Sequence, residues 1–201
     1  MIAIIDYGVG NLKSVYKALE KLGYPGKITS DKEEILKSKG IILPGVGAFK
    51  DAIDNLSNRG LVSCIQESAR NGKPILGICL GMQLLFEKSF EDGEWKGLGI
   101  LEGDIVRFQD GLKVPHMGWN NVYSGTKDTI GNGVEDGEYA YFVHSYYLEP
   151  QNNEDVVFWT DYGVKVPAVV RKDNVVGMQF HPEKSGHTGL KLLKNFGELI
   201  R

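Results

Sequence analysis

Pro74-Ile75-Leu76-Gly77-Ile78-Cys79-Leu80-Gly81-Met82-Gln83 is the stretch on which the fold turns. An apolar run opened by proline reads as a short buried strand. Gly-x-Cys-x-Gly follows it, and Leu84, Leu85 and Phe86 continue with helical character. Strand, sharp turn and helix in that order make a nucleophile elbow with Cys in place of Ser. Gly77 and Gly81 supply neighbours without bulk, and a thiol at a helix N-terminus sits at the positive end of the macrodipole, which favours thiolate. The backbone N–H of Leu80 then faces an oxyanion formed at a substrate carbonyl. A buried Cys at a strand end satisfies the same pentapeptide, because free Cys is among the most buried residue types.

Towards the N-terminus, Ile2 to Asp6 is an apolar run that ends in Tyr7-Gly8-Val9-Gly10-Asn11. Leu12, Val15, Tyr16, Leu19 and Leu22 recur at helical spacing until Gly23 and Pro25. A dinucleotide fingerprint needs a third glycine where Lys13 stands, so the turn reads as a tight strand-to-helix connection with Asn11 as N-cap. Lys27 to Thr29 is a short strand. Ser30-x-x-Glu33 is a capping box for a brief helix through Leu36. Gly40 to Leu43 is another buried run, broken by Pro44-Gly45-Val46-Gly47, with helices predicted near 48–56 and 61–69. Strands alternating with helices imply a parallel sheet covered on both faces. Ligands bind such sheets beyond the carboxyl ends of the strands, where Gly8–Asn11, Pro44–Gly47 and Cys79 all fall.

Past Glu91 the texture changes. Stretches 98–108, 119–123, 139–148, 156–160, 164–171 and 175–180 are strand-like and separated by Gly, Asn and Asp turns, with a hairpin turn at Lys172-Asp173-Asn174. This half reads as mixed or antiparallel sheet built onto the first. A C-terminal helix from about Gly189 carries Leu190, Leu192, Leu193, Phe196, Leu199 and Ile200. The expected class is α/β, with a central, mostly parallel sheet flanked by helices and additional mixed or antiparallel strands in the second half. No linker divides it, so residues 1–201 are expected to form a single domain.

Gln179-Phe180-His181-Pro182-Glu183-Lys184 ends the last predicted strand. Proline biases His181 towards extended backbone, where residues two apart point the same way, so His181 and Glu183 are predicted side by side. A carboxylate beside an imidazole fixes its tautomer and supports the imidazolium, as a base acting on a thiol requires. Alone, His-Pro-Glu also suits a surface turn. Joined to the elbow it completes Cys79–His181–Glu183 as nucleophile, base and orienter at strand ends. Amides of Pro44–Gly47 offer a second oxyanion donor at that edge. The chemistry these parts specify is acyl transfer or amide hydrolysis through a thioester.

Composition excludes other classes. With 201 residues, 42% hydrophobic and 24% charged, the chain is ordinary globular protein with ample core. A net charge of -3 with scattered Lys and Arg argues against nucleic-acid binding. No apolar run approaches the roughly 18 residues of a membrane span. Met-Ile-Ala-Ile-Ile-Asp lacks a basic n-region, which points to the cytoplasm. The two cysteines, Cys64 and Cys79, form no C-x-x-C, and the only His-x-Glu lies after Cys79, against a zinc-deaminase pattern, so no metal or cofactor is expected.

Together, Pro44-Gly45-Val46-Gly47, Gly77-Ile78-Cys79-Leu80-Gly81-Met82-Gln83 and His181-Pro182-Glu183 resemble the triad-type (class I) glutamine amidotransferases over nearly the whole chain. Within them the chain is most similar to the glutaminase subunits of imidazole glycerol phosphate synthase. That similarity rests on Asp6–Leu12, Pro44–Phe49, Pro115-His116-Met117-Gly118-Trp119-Asn120, Phe142–Tyr146 and Gln179–Ser185. The resemblance implies that Cys79 attacks the carboxamide of L-glutamine, His181 relays the proton and Glu183 orients the ring. Leu80, Val46 and Gly47 would stabilise the oxyanion, and Gly45, Gln83, Ser145 and Tyr146 would hold the glutamine, with Glu91 on its amino group. It implies ammonia passing to a separate (β/α)8-barrel cyclase subunit in L-histidine biosynthesis, as a heterodimer. Asn11, Trp119, Tyr141 and Lys184 would then lie at that interface, Tyr141 and Lys184 near an ammonia gate. Plainer roles remain for each: a helix cap for Asn11, a solvated charge for Lys184 and a core position for Tyr141. His116 and His144, without a carboxylate at useful spacing, read as structural, and Cys64 as core packing. A glutaminase for a different synthase, or a non-catalytic module on this fold, are the alternatives.

Overall fold

Residues 1–109 and 111–200 are described by the computed structural model. The first half builds the parallel core in the predicted order: β1 (Ile2–Ile5), α1 (Leu12–Lys21), β2 (Gly26–Thr29), α2 (Lys32–Lys37), β3 (Gly40–Gly45), α3 (Phe49–Asn58), α4 (Leu61–Arg70), β4 (Ile75–Cys79) and the short α5 (Leu80–Leu84). The second half contributes β5 (Lys88–Ser89), β6 (Trp95–Lys96), β7 (Gly103–Arg107), β8 (His116–Asn121), β9 (Tyr123–Ser124), β10 (Tyr139–His144), β11 (Tyr146–Pro150), β12 (Val156–Asp161), β13 (Lys165–Lys172), β14 (Val175–Met178) and α6 (Gly186–Glu198).

An eight-stranded sheet runs β2-β1-β3-β4-β14-β13-β12-β9. It is parallel from β2 to β14 and antiparallel beyond. The late strand β14 inserts beside β4, with Met178 opposite Ile78, and this register brings the His-Pro-Glu segment to the cysteine. Strand alternation sends Ala3, Ile5, Ile41 and Leu43 to one face, under α3 and α4. Ile2, Ile4, Ile42, Leu76 and Ile78 go to the other, under α1 and α6. Two smaller sheets, β11-β7-β5-β6 and β10-β8, stand beside the large one. No helix among the described residues is long and apolar enough to cross a membrane.

Several local expectations shift. The cap of α2 is Asp31, whose carboxylate accepts from the amide of Glu34 at 2.9 Å, rather than Ser30, because Glu33 is turned outward to Lys37. Asn11 occupies the N-cap position of α1, but its backbone is not extended (ψ 57°) and its side chain makes no capping hydrogen bond. Only Gly103–Arg107 of the predicted 98–108 strand pairs. The 139–148 run divides at Ser145 into two strands that join different sheets. The C-terminal helix starts three residues earlier than expected, at Gly186.

Candidate active site

Parallel strands β1, β3, β4 and β14 all deliver their carboxyl ends to one edge. Cys79 closes β4 and opens α5 with φ 54° and ψ -112°, a backbone that a side chain rarely adopts. The turn is held by close packing: a Cβ on Gly81 would overlap the carbonyl of Leu43 in β3. Because α5 ends at Leu84 instead of running on through Phe86, its macrodipole is short. The sulfur therefore depends more on individual donors than the elbow pattern suggests.

His181 is that sulfur's principal partner. The ring is buried beside Cys79, and its Nδ1 lies 3.0 Å from Glu183 Oε1. Burial pulls the imidazole pKa down, but hydrogen bonds to Cys79 and Glu183, with their negative charge, outweigh it and hold it at about 9. The contact predicted between His181 and Glu183 is present for a different reason. β14 stops at Met178, and Pro182–Lys184 form a single 3₁₀ turn that brings the carboxylate back to the ring. Glu183 Oε2 is buried with no hydrogen-bond partner among the described residues, so its charge acts mainly through the ring. Ser185 steadies the segment: its hydroxyl donates to the carbonyl of His181 at 2.7 Å and accepts from the amide of Tyr141 at 2.9 Å.

A cavity of about 420 Å³ opens over these groups. Cys79, Leu80 and His181 line it together with Val46, Gly47, Gln83, Glu91, Ser145, Tyr146 and Lys184. Val46 is exposed, and Gly47, at φ 99°, has open space around it. Gly45 stays inside β3, paired with Cys79 and in close contact with Tyr7 and Gly81, and does not line the cavity. Both donors of Gln83 are committed to the protein, to Tyr146 O at 2.9 Å and Gln179 Oε1 at 3.1 Å, so only its carbonyl oxygen is left for a ligand. Glu91 accepts from the amide of Phe49 at the start of α3 (2.7 Å), and burial raises its pKa. Asn11, Trp119 and Tyr141 lie outside the lining. Trp119 is exposed and meets Tyr141 edge-on at 5.8 Å, while the carbonyl of Tyr141 accepts from the amide of His181.

These positions match a known family. The model for "Glutamine amidotransferase class-I" matches residues 3–199. The chain belongs to the class I glutamine amidotransferases. Among its relatives, imidazole glycerol phosphate synthase subunit HisH of Caldanaerobacter subterraneus subsp. tengcongensis is 54% identical over 201 residues, covering 100% of this chain and 99% of that one. The proteins of the same name from Moorella thermoacetica and Bacillus cereus are 53% and 55% identical, each over 100% of this chain and 95% of theirs. Within the class I glutamine amidotransferases this enzyme is thus of the HisH type. Solved structures share the fold at low identity. A glutamine amidotransferase crystal structure has TM-score 0.79 at 21% identity, covering 100% of this chain and 99% of that one, and PurLQS from Thermotoga maritima has 0.78 at 23%, covering 100% and 98%.

Sequence reading quotes Tyr7 and Gln179 only as parts of motifs, yet both reach the centre of the amidotransferase site. The Tyr7 hydroxyl donates to the Pro44 carbonyl at 2.8 Å, and burial together with the charge of Cys79 raises its pKa. Gln179, fully buried, stands with Nε2 4.0 Å from the Cys79 sulfur. His144 also lines the cavity, hydrogen-bonded to His116 at 2.9 Å. No group of three His, Cys, Asp or Glu side chains suited to a metal occurs among the described residues.

Proposed function

We propose that this chain hydrolyses L-glutamine to glutamate and ammonia through a thioester on Cys79. The ammonia passes to a separate (β/α)8-barrel cyclase subunit, which makes imidazole glycerol phosphate and aminoimidazole carboxamide ribotide in cytoplasmic L-histidine biosynthesis. The single observation that carries the chemistry is the buried imidazole of His181, set between Cys79 and Glu183 on the lining of a cavity large enough for an amino acid.

The steps follow from that arrangement. The Cys79 thiolate forms a C–S bond to the carboxamide carbon, and the carbonyl oxygen becomes an oxyanion facing the amides of Leu80 and of the Val46–Gly47 turn. The His181 imidazolium gives its proton to the amide nitrogen, the C–N bond breaks, and ammonia leaves a thioester behind. His181, now neutral, takes a proton from water as its oxygen attacks. Return of that proton and cleavage of the C–S bond release glutamate. Glu183 keeps the ring's Nδ1 occupied, so that Nε2 is the nitrogen that works. Gln83, Ser145, Tyr146 and Glu91 hold the substrate, while Gly45, inside β3, only lets that strand pack closely against the elbow.

The HisH-type relatives, named as subunits of a synthase, support the partner. So do the exposed side chains of Met117, Trp119 and Tyr139 on the β8–β10 pair, beside the site. Asn11, Tyr141 and Lys184 are the further side chains assigned to the partner in this reading. Cys79→Ala is expected to abolish glutamine-dependent synthesis in the complex and to leave ammonia-dependent synthesis intact. Glutamate release measured with and without the cyclase tests both halves. Retained glutaminase activity in the alanine variant would refute the nucleophile.

A further inference from the structure

We infer that Gln179 is the fixed N–H donor to the Cys79 sulfur, holding the thiolate in place, with its orientation dictated by the carbonyl of Tyr146. The inference rests on Cys79 being the nucleophile.

The two ends of a carboxamide are told apart only by what they bond. A backbone carbonyl accepts and never donates. The end of Gln83 that lies 2.9 Å from Tyr146 O is therefore Nε2. That same nitrogen is 3.1 Å from Gln179, so the end of Gln179 it meets is Oε1. The other end, Nε2, then faces Cys79 Sγ at 4.0 Å. Tyr146 O also takes the Nδ1–H of His144 at 2.8 Å, which leaves His144 Nε2 as acceptor for His116 Nδ1–H at 2.9 Å. One carbonyl thus sets every donor on both sides of it.

The sulfur chooses partners by protonation state. As a thiol it donates to Val143 O, 3.8 Å away. As a thiolate it has nothing to donate there and needs N–H groups, and Gln179 Nε2 and the His181 ring are the side chains that supply them. The titratable groups around the sulfur are His181 with Glu183 behind it, Tyr7, and His144, Glu91 and Lys184 across the cavity. None of these changes when Gln179 is replaced. Gln179 is itself uncharged and fully buried at the end of β14, so its only polar roles are the acceptor towards Gln83 and the donor towards sulfur.

The test is alkylation of Cys79 by iodoacetamide across pH in the full chain, read by mass spectrometry on the Cys79 peptide so that Cys64 does not contribute. With Gln179→Met, the rate at pH 7 is expected to fall roughly tenfold and the midpoint to rise by about one pH unit, the effect of one hydrogen bond to a charged group. Gln179→Glu keeps the length and the acceptor towards Gln83 but sets a carboxylate against the sulfur, and should shift the midpoint further. In the complex with the cyclase, kcat for glutamine hydrolysis should fall about tenfold in Gln179→Met with KM within about twofold. An alkylation profile superimposable on wild type in either folded variant overturns the inference. Should neither variant fold, the carboxamide N–H resonance of Gln179 in the wild-type chain must move with the Cys79 midpoint, and a resonance that does not move overturns it equally. A wild-type complex that releases no glutamate, with alkylation still shifted by the variants, would defeat the proposed function and leave the donor assignment standing.

Discussion

Two buried histidine pairings, His181 with Glu183 and His144 with His116, each bring a ring to the same cavity, and their pKa values are shifted in opposite directions. His181 has a carboxylate behind it and a thiol in front, and its pKa rises to about 9. His144 and His116 have each other, a backbone carbonyl and the side chain of Asn120. Burial, with the Tyr146 hydrogen bond only partly offsetting it and the neighbouring imidazoles adding to it, takes His144 to about 3; burial alone takes His116 to about 4. His116 is further clamped between the rings of Phe142 and Tyr162, stacked at 4.7 and 4.0 Å. Burial is common to all three rings. The difference lies in whether a negative partner compensates it, and that decides which ring holds a proton near neutral pH and which two stay neutral.

The comparison breaks first at His181. His181→Asn should lower glutamine hydrolysis in the complex by roughly 10³-fold or more, since both nucleophile activation and proton delivery go with it. Glutamate release reads this directly. Glu183→Gln keeps a hydrogen-bonding partner for Nδ1 but removes the charge. The ring should then titrate closer to an ordinary histidine, with hydrolysis down by about 10²-fold and the alkaline limb of the pH–rate profile moved to lower pH.

Stability sharpens the contrast, because the two pairs respond to pH with opposite sign. A raised pKa means the folded chain binds a proton more tightly than the unfolded chain does. The His181 contribution is therefore complete below about pH 6.5 and is lost as pH rises towards 9, by up to about 3 kcal/mol. His116 and His144 prefer to be neutral in the fold. Their contribution is complete above about pH 6.5 and is lost as pH falls through 4 towards 3, by a few kcal/mol together. Urea unfolding from pH 4 to 9 should show the alkaline loss vanish in His181→Asn while the acid loss persists. An alkaline loss in His181→Asn equal to that of wild type would collapse the distinction. The smallest effect belongs to Asn120→Leu, which removes the donor to His116 Nε2 (3.2 Å) and to the Asp161 carbonyl (2.8 Å) and should cost about 1–2 kcal/mol at pH 7.

How legible these regions were in the sequence also differs. The elbow at Cys79, the parallel half and the presence of a His181–Glu183 contact follow from periodicity, glycine spacing and residue type, which are local signals. The second pair is written in no spacing. His116 and His144 lie 28 residues apart on β8 and β10 and meet only because those strands pair antiparallel, residue 116 opposite 144. The break at Ser145 is hidden for a related reason: apolar alternation continues through it, while the chain leaves one sheet for another. Gln179 reads as a polar residue near a strand end until β14 is seen beside β4. Tertiary placement, not composition, turns these side chains into neighbours of the sulfur.

Tyr146's carbonyl, grasped at once by a carboxamide and an imidazole, makes one flank of the cleft a stationary jaw. Gly47, also on the cavity lining, has open space where a side chain would stand. A ligand entering this cleft meets one side already committed to internal bonds and another with room to yield.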